Sequence, residues 1–484
     1  MKLRNRYNIL LGLLLLGLSA KAQSAYQPLS DNQTVQRSIL RQMHQRFQKD
    51  LSSLQGAYKE KLEKEYTRRY EDLSTKMTEG HFLTDEVLHK YFGSILQQII
   101  SVNPCLQDRD IRLLVSRYNW PNASCRGEGT LVLNLGLISR LENESQIAFV
   151  ICHELAHDYM NHVNTAIHSY VDKLYGKETQ KELKKIAKSE YNTYDRASEL
   201  LQSLTFNMRR HGRLHEEEAD SLALEFMRPS VYDTREAIKC LNILNTVDQP
   251  KRPELVDLRK HFDSELFQLK ERWLRIEEEE SIITHFEETT AAVRDSLKTH
   301  PDCEKRIEAI QSFEHREASS SDSKFEQYIR LADYEIIEAE YQFGQFGKAL
   351  FHSFQLLEEQ PTDAYLHSMV LNCLYELHQY QKGHELGKVL SLPNESYPEN
   401  YNQFLHFIHN LRLRDLAKLG YYYGQKNFKA FTANEEFRVA YLYCASLVEP
   451  LADWQKSKRQ YYEDFPNSLY RKEIRKLSEQ LKSE

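Results

Sequence analysis

The first strong hydrophobic pattern in the chain is a stripe that starts at Val35 and ends at Met77. Its apolar residues follow one another at steps of three and four, which is the spacing of one helix face. The pattern predicts one long amphipathic helix, and we favour packing on the rest of the protein over a coil that binds a partner. Thr84 and Asp85 are typical of a helix start and predict a second helix that reaches Ile99.

Further along the chain, the pattern predicts a small sheet. One strand covers residues 111–117 and a second covers 130–134, with a loop at 119–124 and a glycine-containing turn between them. Residues 135–141 then lead into a helix that begins at Glu144.

The second strand is the candidate substrate-binding element. An exposed edge strand can hold an extended peptide through main-chain hydrogen bonds, without reading the sequence of that peptide. An ordinary structural hairpin is the alternative, and the pattern alone leaves both interpretations open. The residues of this candidate edge are Thr130, Leu131, Val132, Leu133 and Asn134.

The clearest chemistry lies in His153-Glu154-x-x-His157, inside an apolar run that begins at Ile147. Residues four apart share one face of a helix, so both imidazoles can bind one metal ion. This spacing is typical of zinc metallopeptidases, in which the glutamate is the general base toward the attacking water. The apolar neighbours predict a buried helix, where imidazoles and carboxylates need polar partners or a metal. A chance match on a surface helix is the alternative.

A catalytic zinc ion needs a third protein ligand, and the sequence offers three candidate carboxylates. Glu178 and Glu182 follow the motif closely but lie in a charged stretch that indicates a solvated helix face. Glu216 is more distant and lies at the start of a helix with an apolar face. Asp220, one turn later, could hydrogen-bond a ligand histidine and fix its orientation. With Glu178 or Glu182 as ligand, we would expect an aminopeptidase that releases single N-terminal residues.

The chain changes character from about residue 326, where the pattern predicts stacked pairs of helices. The segment Gly344–Ala349 resembles the turn of a tetratricopeptide repeat (TPR), and Pro361 falls where that repeat ends. The 34-residue period of that repeat relates this unit to a second one, in which Gly383 and Glu395 replace the expected alanine and proline. Stacked helical pairs form a concave surface for partners. An irregular helical bundle is the alternative.

Composition and charge restrict the classes of function. The chain has 484 residues, which suggests two or three domains, and its 16 glycines and 12 prolines favour helices over many tight turns. Its net charge is −7 and no basic patch dominates, so nucleic acid is not an expected partner. The seven cysteines include no Cys-x-x-Cys motif, so a cysteine zinc site is not indicated.

Residues 1–22 have the pattern of a secretory signal peptide. Lys2, Arg4 and Arg6 form the basic region, an apolar run follows, and residues 20–22 offer a cleavage site with small residues. The run is too short to span a bilayer comfortably, so an uncleaved anchor is the weaker alternative. We therefore expect an exported, periplasmic protein that is soluble or peripherally membrane-associated and has no stable transmembrane segment.

From Pro121 to Leu224 the sequence resembles the zinc metallopeptidase family of the CAAX prenyl protease and the HtpX heat-shock protease. The motifs that carry the resemblance, in chain order, are Pro121-Asn122-Ala123, Gly129-Thr130, Gly136-Leu137-Ile138, His153-Glu154-x-x-His157, His162 and Glu216-x-x-Ala219-Asp220. Downstream of this segment, Thr299-His300-Pro301 with Arg306-Ile307 resembles a further element of the family. The signal peptide and the helical tail make the chain similar to a periplasmic branch, that of the beta-barrel assembly-enhancing protease. Leu135 and a long insertion at 164–210 depart from the family pattern.

The resemblance implies one zinc ion per chain, with His153, His157 and Glu216 as ligands and Glu154 as the catalytic base. His300 is a candidate to stabilise the oxyanion or to act as a removable metal ligand that keeps the enzyme latent, and a histidine of a surface loop is the alternative. The residues expected to surround the ligands are Asp220, His162 and Arg213.

The combined expectation is a mainly helical α+β fold. It comprises a signal peptide (1–22), a zincin-type metallopeptidase domain (23–325, catalytic core about 95–320) and a TPR-like helical region (326–484). The expected function is an exported zinc-dependent endopeptidase for protein quality control in the cell envelope. Its partners would be polypeptide substrates, with envelope proteins or their assembly machinery bound by the TPR-like region. The alternative is a TPR-type chaperone or scaffold with a latent or rarely used metal site.

Overall fold

The computed structural model describes residues 26–187, 215–247, 249–275, 303–317 and 325–483. The expected signal peptide, Arg213, His300 and the second half of the predicted insertion therefore lie outside the described residues. Within the described part the fold is mainly helical with one small sheet, which confirms the predicted fold class. None of the helices in these ranges combines the length and apolar character that crossing a membrane requires.

The predicted long N-terminal helix is wrong, because the stripe forms two helices, α1 (Gln33–Ser53) and α2 (Lys59–Thr78), that pack against each other. Gly56 between them has a φ of 98°, a conformation that favours glycine. The apolar spacing continues through the turn because Leu54 is itself buried, in a cluster with Leu62 of α2. A turn whose apolar residues pack into the core gives no break in the hydrophobic pattern.

The sheet has four strands, in the order β1-β2-β4-β3. Strands β2 and β4 are parallel, whereas β1 pairs with β2 and β3 pairs with β4 in antiparallel fashion. The strands are β1 (Phe82–Leu83), β2 (Arg112–Ser116), β3 (Ala123–Cys125) and β4 (Thr130–Asn134).

The prediction that β4 is an exposed edge strand is wrong. Its whole length is paired on both sides, with β2 from Thr130 to Asn134 and with β3 from Leu131 to Leu133. Strand β3 is the outer strand, and it comes from the segment that we predicted as a loop. Its small side chains and its length of three residues give no alternating hydrophobic pattern.

Alternating residues of the sheet face two different layers, as the period of a strand requires. Leu113 and Leu131 pack in the core that contains the helices α3 (Glu86–Val102) and α5 (Glu144–Tyr159). Leu114 and Val132 face the other way and pack against α1 and α2. The sheet therefore holds α5 on one side and is covered by the helical hairpin on the other.

Helix α3 begins as predicted, because the Asp85 side chain accepts hydrogen bonds from the backbone N–H groups of Val87 and Leu88 at 2.9 and 3.2 Å. Helices α6 and α7 form the described part of the predicted insertion. Between residues 255 and 315, the described residues form only short helices. The remaining helices of this half are α4 (Leu135–Ile138), α6 (His162–Tyr175), α7 (Lys177–Ala187), α8 (215–227), α9 (Glu236–Asn245), α10 (Leu258–Phe262), α11 (Glu271–Leu274) and α12 (Cys303–Gln311).

The C-terminal region is helical throughout its described residues. Its helices are α13 (Phe325–Gln342), α14 (Phe346–Glu359), α15 (Ala364–Lys382), α16 (Glu399–His409), α17 (Leu413–Asn427), α18 (Glu435–Ala445), α19 (Leu451–Asp464) and α20 (Arg471–Ser483). The turn predicted around Gly344 connects α13 and α14. The second predicted unit differs from a helix pair, because α15 is followed by one 3-10 turn at Leu386–Lys388. His384 just before that turn has a φ of 58°, which does not continue a helix.

Helix α13 belongs to two hydrophobic cores at once. Phe325, Ala332 and Ile336 pack in the core around α5, whereas Ile337 packs among the C-terminal helices. The boundary predicted between 325 and 326 therefore lies at the start of a shared helix. A shared helix couples the two regions more tightly than an exposed linker would.

A buried ion pair reinforces this junction. The Arg117 Nη1 atom at the end of β2 lies 3.1 Å from Oε2 of Glu335 in α13, and Arg117 Nη2 lies 2.7 Å from Oδ2 of Asp31. Glu335 is fully buried and also accepts hydrogen bonds from the Leu29 N–H and the Tyr26 hydroxyl. Burial raises the pKa of Glu335, and these hydrogen bonds and the charge of Arg117 counteract that rise.

We predict that Arg117→Met lowers the free energy of unfolding by about 3–5 kcal/mol, because it leaves Glu335 buried without its cation. Lys59→Met is the control, since Lys59 forms an exposed pair with Glu63 at 3.7 Å and should contribute less than about 1 kcal/mol. Denaturant unfolding followed by circular dichroism measures both. Equal losses in the two variants would contradict this role of the junction.

Candidate metal centre

Helix α5 places the two motif histidines in the protein interior. It begins at the N-cap Asn143, whose side chain accepts a hydrogen bond from the Gln146 N–H at 3.0 Å. His153 and His157 lie one turn apart, and their Nε2 atoms are 3.1 Å from each other. The buried position of the helix confirms the expectation from its apolar neighbours, because both sides of α5 pack in the core.

Helix α8 brings a carboxylate to these two nitrogen atoms. Glu216 Oε2 lies 3.4 Å from Nε2 of His153, and Oε1 lies 3.4 Å from Nε2 of His157. The three residues offer ligand atoms within 4.8 Å of one another, which is the size of a site for one metal ion. Of the three candidate carboxylates, the structure therefore brings Glu216 to the motif, whereas Glu178 and Glu182 lie on α7 outside this group.

Asp220 orients the first histidine. Its Oδ1 lies 2.9 Å from Nδ1 of His153, so the Nε2 lone pair of that imidazole faces the cluster. Burial acts to raise the pKa of Asp220, but the hydrogen bonds and charge of Arg306 outweigh it, and the pKa is lowered to about 2. The carboxylate is therefore ionised at every pH at which the protein is expected to work.

Arg306 on α12 is a central residue whose contacts sequence reasoning missed. Its Nε and Nη2 atoms lie 2.6 and 2.7 Å from the two carboxylate oxygens of Asp220, and its Nη1 lies 3.2 Å from Oε2 of Glu216. The guanidinium group of Arg306 thus contacts both Glu216, which is a predicted ligand, and Asp220, which orients the ligand His153. The sequence signal was only the resemblance of Arg306-Ile307 to a downstream family element, and that did not indicate these contacts.

His162 lies behind the second histidine. Its Nδ1 is 3.0 Å from Nδ1 of His157, so it contacts the ring nitrogen that points away from Glu216. Burial and the neighbouring imidazoles of His157 and His215 lower the pKa of His162 to about 4, so it is neutral at neutral pH. A neutral imidazole in this position can accept a hydrogen bond from the Nδ1–H group of His157 and fix the tautomer of His157.

Glu154 lies beside the cluster in a small cavity. It is 2% exposed, and it lines the cavity together with His153. Most of the other lining residues are apolar, which favours a site with little water. The lining residues besides His153 and Glu154 are the apolar Ala123, Leu137, Phe149, Val150 and Leu244 and the charged Arg306. The presence of Ala123 shows that β3, rather than β4, is the strand next to the expected catalytic base.

The residues present fit a zinc ion. Two imidazole nitrogens and one carboxylate are the ligand set of a common type of catalytic zinc site. Burial lowers the pKa of His153, but hydrogen bonds to Asp220 and Glu216 outweigh it and raise the pKa to about 10. The two carboxylates therefore favour a positive charge beside His153.

Comparison with known proteins agrees with this geometry. Residues 94–314 match the family described as Peptidase family M48, and this range contains the sheet from β2 onward, the motif helix, Glu216 and Arg306. No curated protein matches the chain. The site and the match together define a zinc metallopeptidase. Its catalytic part, residues 94–314, is a domain of peptidase family M48, which confirms the predicted resemblance at the level of the family.

We predict that Asp220→Ala weakens zinc binding about 10–100-fold, because His153 loses the partner that orients it and Arg306 loses its main carboxylate. Glu225→Ala, on the exposed side of the same helix, is the control and should bind zinc normally. Competition with a chromogenic chelator measures the affinity. Wild-type affinity in the Asp220 variant would contradict the role assigned to this carboxylate.

Proposed function

We propose that the protein is an exported zinc-dependent endopeptidase that hydrolyses peptide bonds of extracytoplasmic proteins in envelope quality control. The observation that carries this proposal is the buried group of His153, His157 and Glu216 next to Glu154, within an M48 domain. The proposed export rests on the signal-like pattern of residues 1–22.

The reaction that fits these residues is hydrolysis by activated water. Zinc, when bound by His153, His157 and Glu216, supplies the positive charge that polarises the scissile carbonyl group and makes water more acidic. Glu154 takes a proton from the attacking water and later passes it to the leaving amine. Its burial among apolar side chains keeps bulk water away from this transfer.

The remaining polar residues hold these groups in place. Asp220 keeps the Nδ1 proton on His153, and His162 accepts the Nδ1 proton of His157. Both ligand imidazoles then present Nε2 in the same direction. Arg306 prevents Glu216 and Asp220 from repelling each other, because it donates to one carboxylate and lies within 3.2 Å of the other.

Strand β3 is the proposed guide for an extended substrate. It is the last strand in the order β1-β2-β4-β3, and Ala123 also lines the cavity beside Glu154. A peptide that adds to this edge would be held by main-chain hydrogen bonds, which fits the cleavage of unfolded chains with varied sequences. This proposal replaces the wrong assignment of the edge to β4.

The C-terminal helices are the proposed binding region for substrates or envelope partners. The helices α13 and α14 are joined at Gly344, where the sequence resembles the turn of a TPR unit, and α15 packs against both α14 and the later helices α17 and α18. Stacked helices of this kind offer extended surfaces to a partner. Because α13 also packs in the metallopeptidase core, a bound partner would lie on a region that is firmly attached to the catalytic domain.

We predict that Glu154→Gln lowers peptide hydrolysis about 10²–10⁴-fold and leaves zinc binding intact, because it removes the proton acceptor and keeps the ligands. Glu178→Gln is the matched control, since Glu178 is an exposed glutamate of α7 and should leave the rate unchanged. Hydrolysis of an unfolded protein such as casein, followed by fluorescence, measures the rate.

The same variant separates the enzyme from the alternative function. A chaperone or scaffold with a latent site would keep its cellular function in Glu154→Gln, which would refute the peptidase proposal. Release of single N-terminal residues instead of internal fragments would refute the endopeptidase assignment while leaving the metal site intact.

A further inference from the structure

A second group of potential metal ligands lies directly behind the catalytic cluster. It consists of His162, His215 and Glu218, which offer ligand atoms within 4.8 Å of one another. His162 is 6% exposed, and its Nε2 atom has no hydrogen-bond partner among the described residues. That nitrogen lies 3.4 Å from Oε2 of Glu218. Burying an imidazole nitrogen without a hydrogen bond costs free energy. The unpaired Nε2 atom therefore indicates that this group binds a ligand.

The chemistry of the group selects a borderline divalent metal such as zinc. Imidazole nitrogens and a carboxylate suit Zn²⁺, whereas Mg²⁺ and Ca²⁺ prefer oxygen ligands. The group combines the buried imidazole of His162 with Glu218, whose side chain is 56% exposed. The group is therefore open to solvent at Glu218.

The rings of His162 and His215 are stacked, with centroids 4.1 Å apart and an interplanar angle of 8°. A metal ion lies in the plane of each imidazole that binds it, so binding has to turn one ring out of this stack. We assign this turn to His215, because it is partly exposed in the first described turn of α8, whereas His162 is buried against His157. The loss of the stack makes the second site weaker than the catalytic one.

We propose that His162, His215 and Glu218 form a second zinc site whose occupation lowers the activity of the first. The two sites share the contact of 3.0 Å between Nδ1 of His157 and Nδ1 of His162. The proposal goes beyond the peptidase function, because it assigns a binding site that the catalytic reaction does not use.

The coupling follows from the positions of two protons. When His157 binds metal through Nε2, its Nδ1 carries a proton and donates it to Nδ1 of His162, whose own proton is then on Nε2. A zinc ion can bind Nε2 of His162 only through the lone pair of that nitrogen. The proton on Nε2 therefore has to leave, and in the neutral ring it moves to Nδ1. Two N–H groups then face each other, so His157 loses its acceptor. Loss of such a partner typically costs 10–100-fold in metal affinity or activity.

The test is a zinc titration of the metal-stripped full chain, with bound zinc measured by equilibrium dialysis. Wild type should bind one tight and one weaker equivalent, and casein hydrolysis should rise with the first and fall about 10–100-fold with the second. His215→Ala should bind only the tight equivalent and stay active in excess zinc. Glu217→Ala, an exposed neighbour outside the group, is the control and should behave like wild type.

Two results would overturn the proposal: a single zinc equivalent in wild type, or a second equivalent that His215→Ala binds as tightly as wild type. A titration of Glu216→Ala separates the sites, because this variant should lose the tight equivalent and keep the weaker one. Failure of the peptidase proposal would instead appear as absent hydrolysis in wild type at one equivalent, whatever the binding of the second.

Discussion

A buried excess of negative charge is the constraint on which the catalytic domain depends. Glu154, Glu216 and Asp220 are each less than 10% exposed, and Arg306 is the cation buried among them. Desolvation makes such an excess unfavourable unless a further cation is present. Burial lowers the pKa of His153, but its hydrogen bonds to Asp220 and Glu216 raise it, so these carboxylates favour a positive charge beside them. A divalent ion at the same place neutralises the excess, so metal binding and the stability of the folded domain are coupled.

The fold brings this charge together from segments that are far apart in the sequence. Helix α5 supplies both histidines and Glu154, helix α8 supplies Glu216 and Asp220, and helix α12 supplies Arg306. The sheet and α3 bury α5, and α1 and α2 cover the opposite face of the sheet. Helix α13 then joins this core to the C-terminal helices, with the Arg117–Glu335 pair at the junction. The position of the ligands is therefore set by packing between segments that extend from α1 to α12.

The features that could be predicted from the sequence are those that follow from local spacing of residues along a helix or from a short motif. The spacing of His153 and His157 follows from the turn of a helix, and Glu216 with Asp220 was indicated by a helix start and a family motif. The contacts of Arg306 depend on how α12 packs on α8, and no local pattern encodes that. Strand β3 was missed because it consists of three residues with small side chains. The break between α1 and α2 was missed because Leu54 continues the apolar stripe through the turn.

The most direct test of the account is the zinc content of the purified protein, wild type against Glu216→Ala, at about one equivalent of added zinc. We expect one tightly bound zinc ion per wild-type chain and loss of that ion in the variant, because the third ligand is removed from a site of three. Tight zinc retained by Glu216→Ala would contradict the assigned ligand set. A wild-type protein that binds no zinc would contradict the catalytic account as a whole.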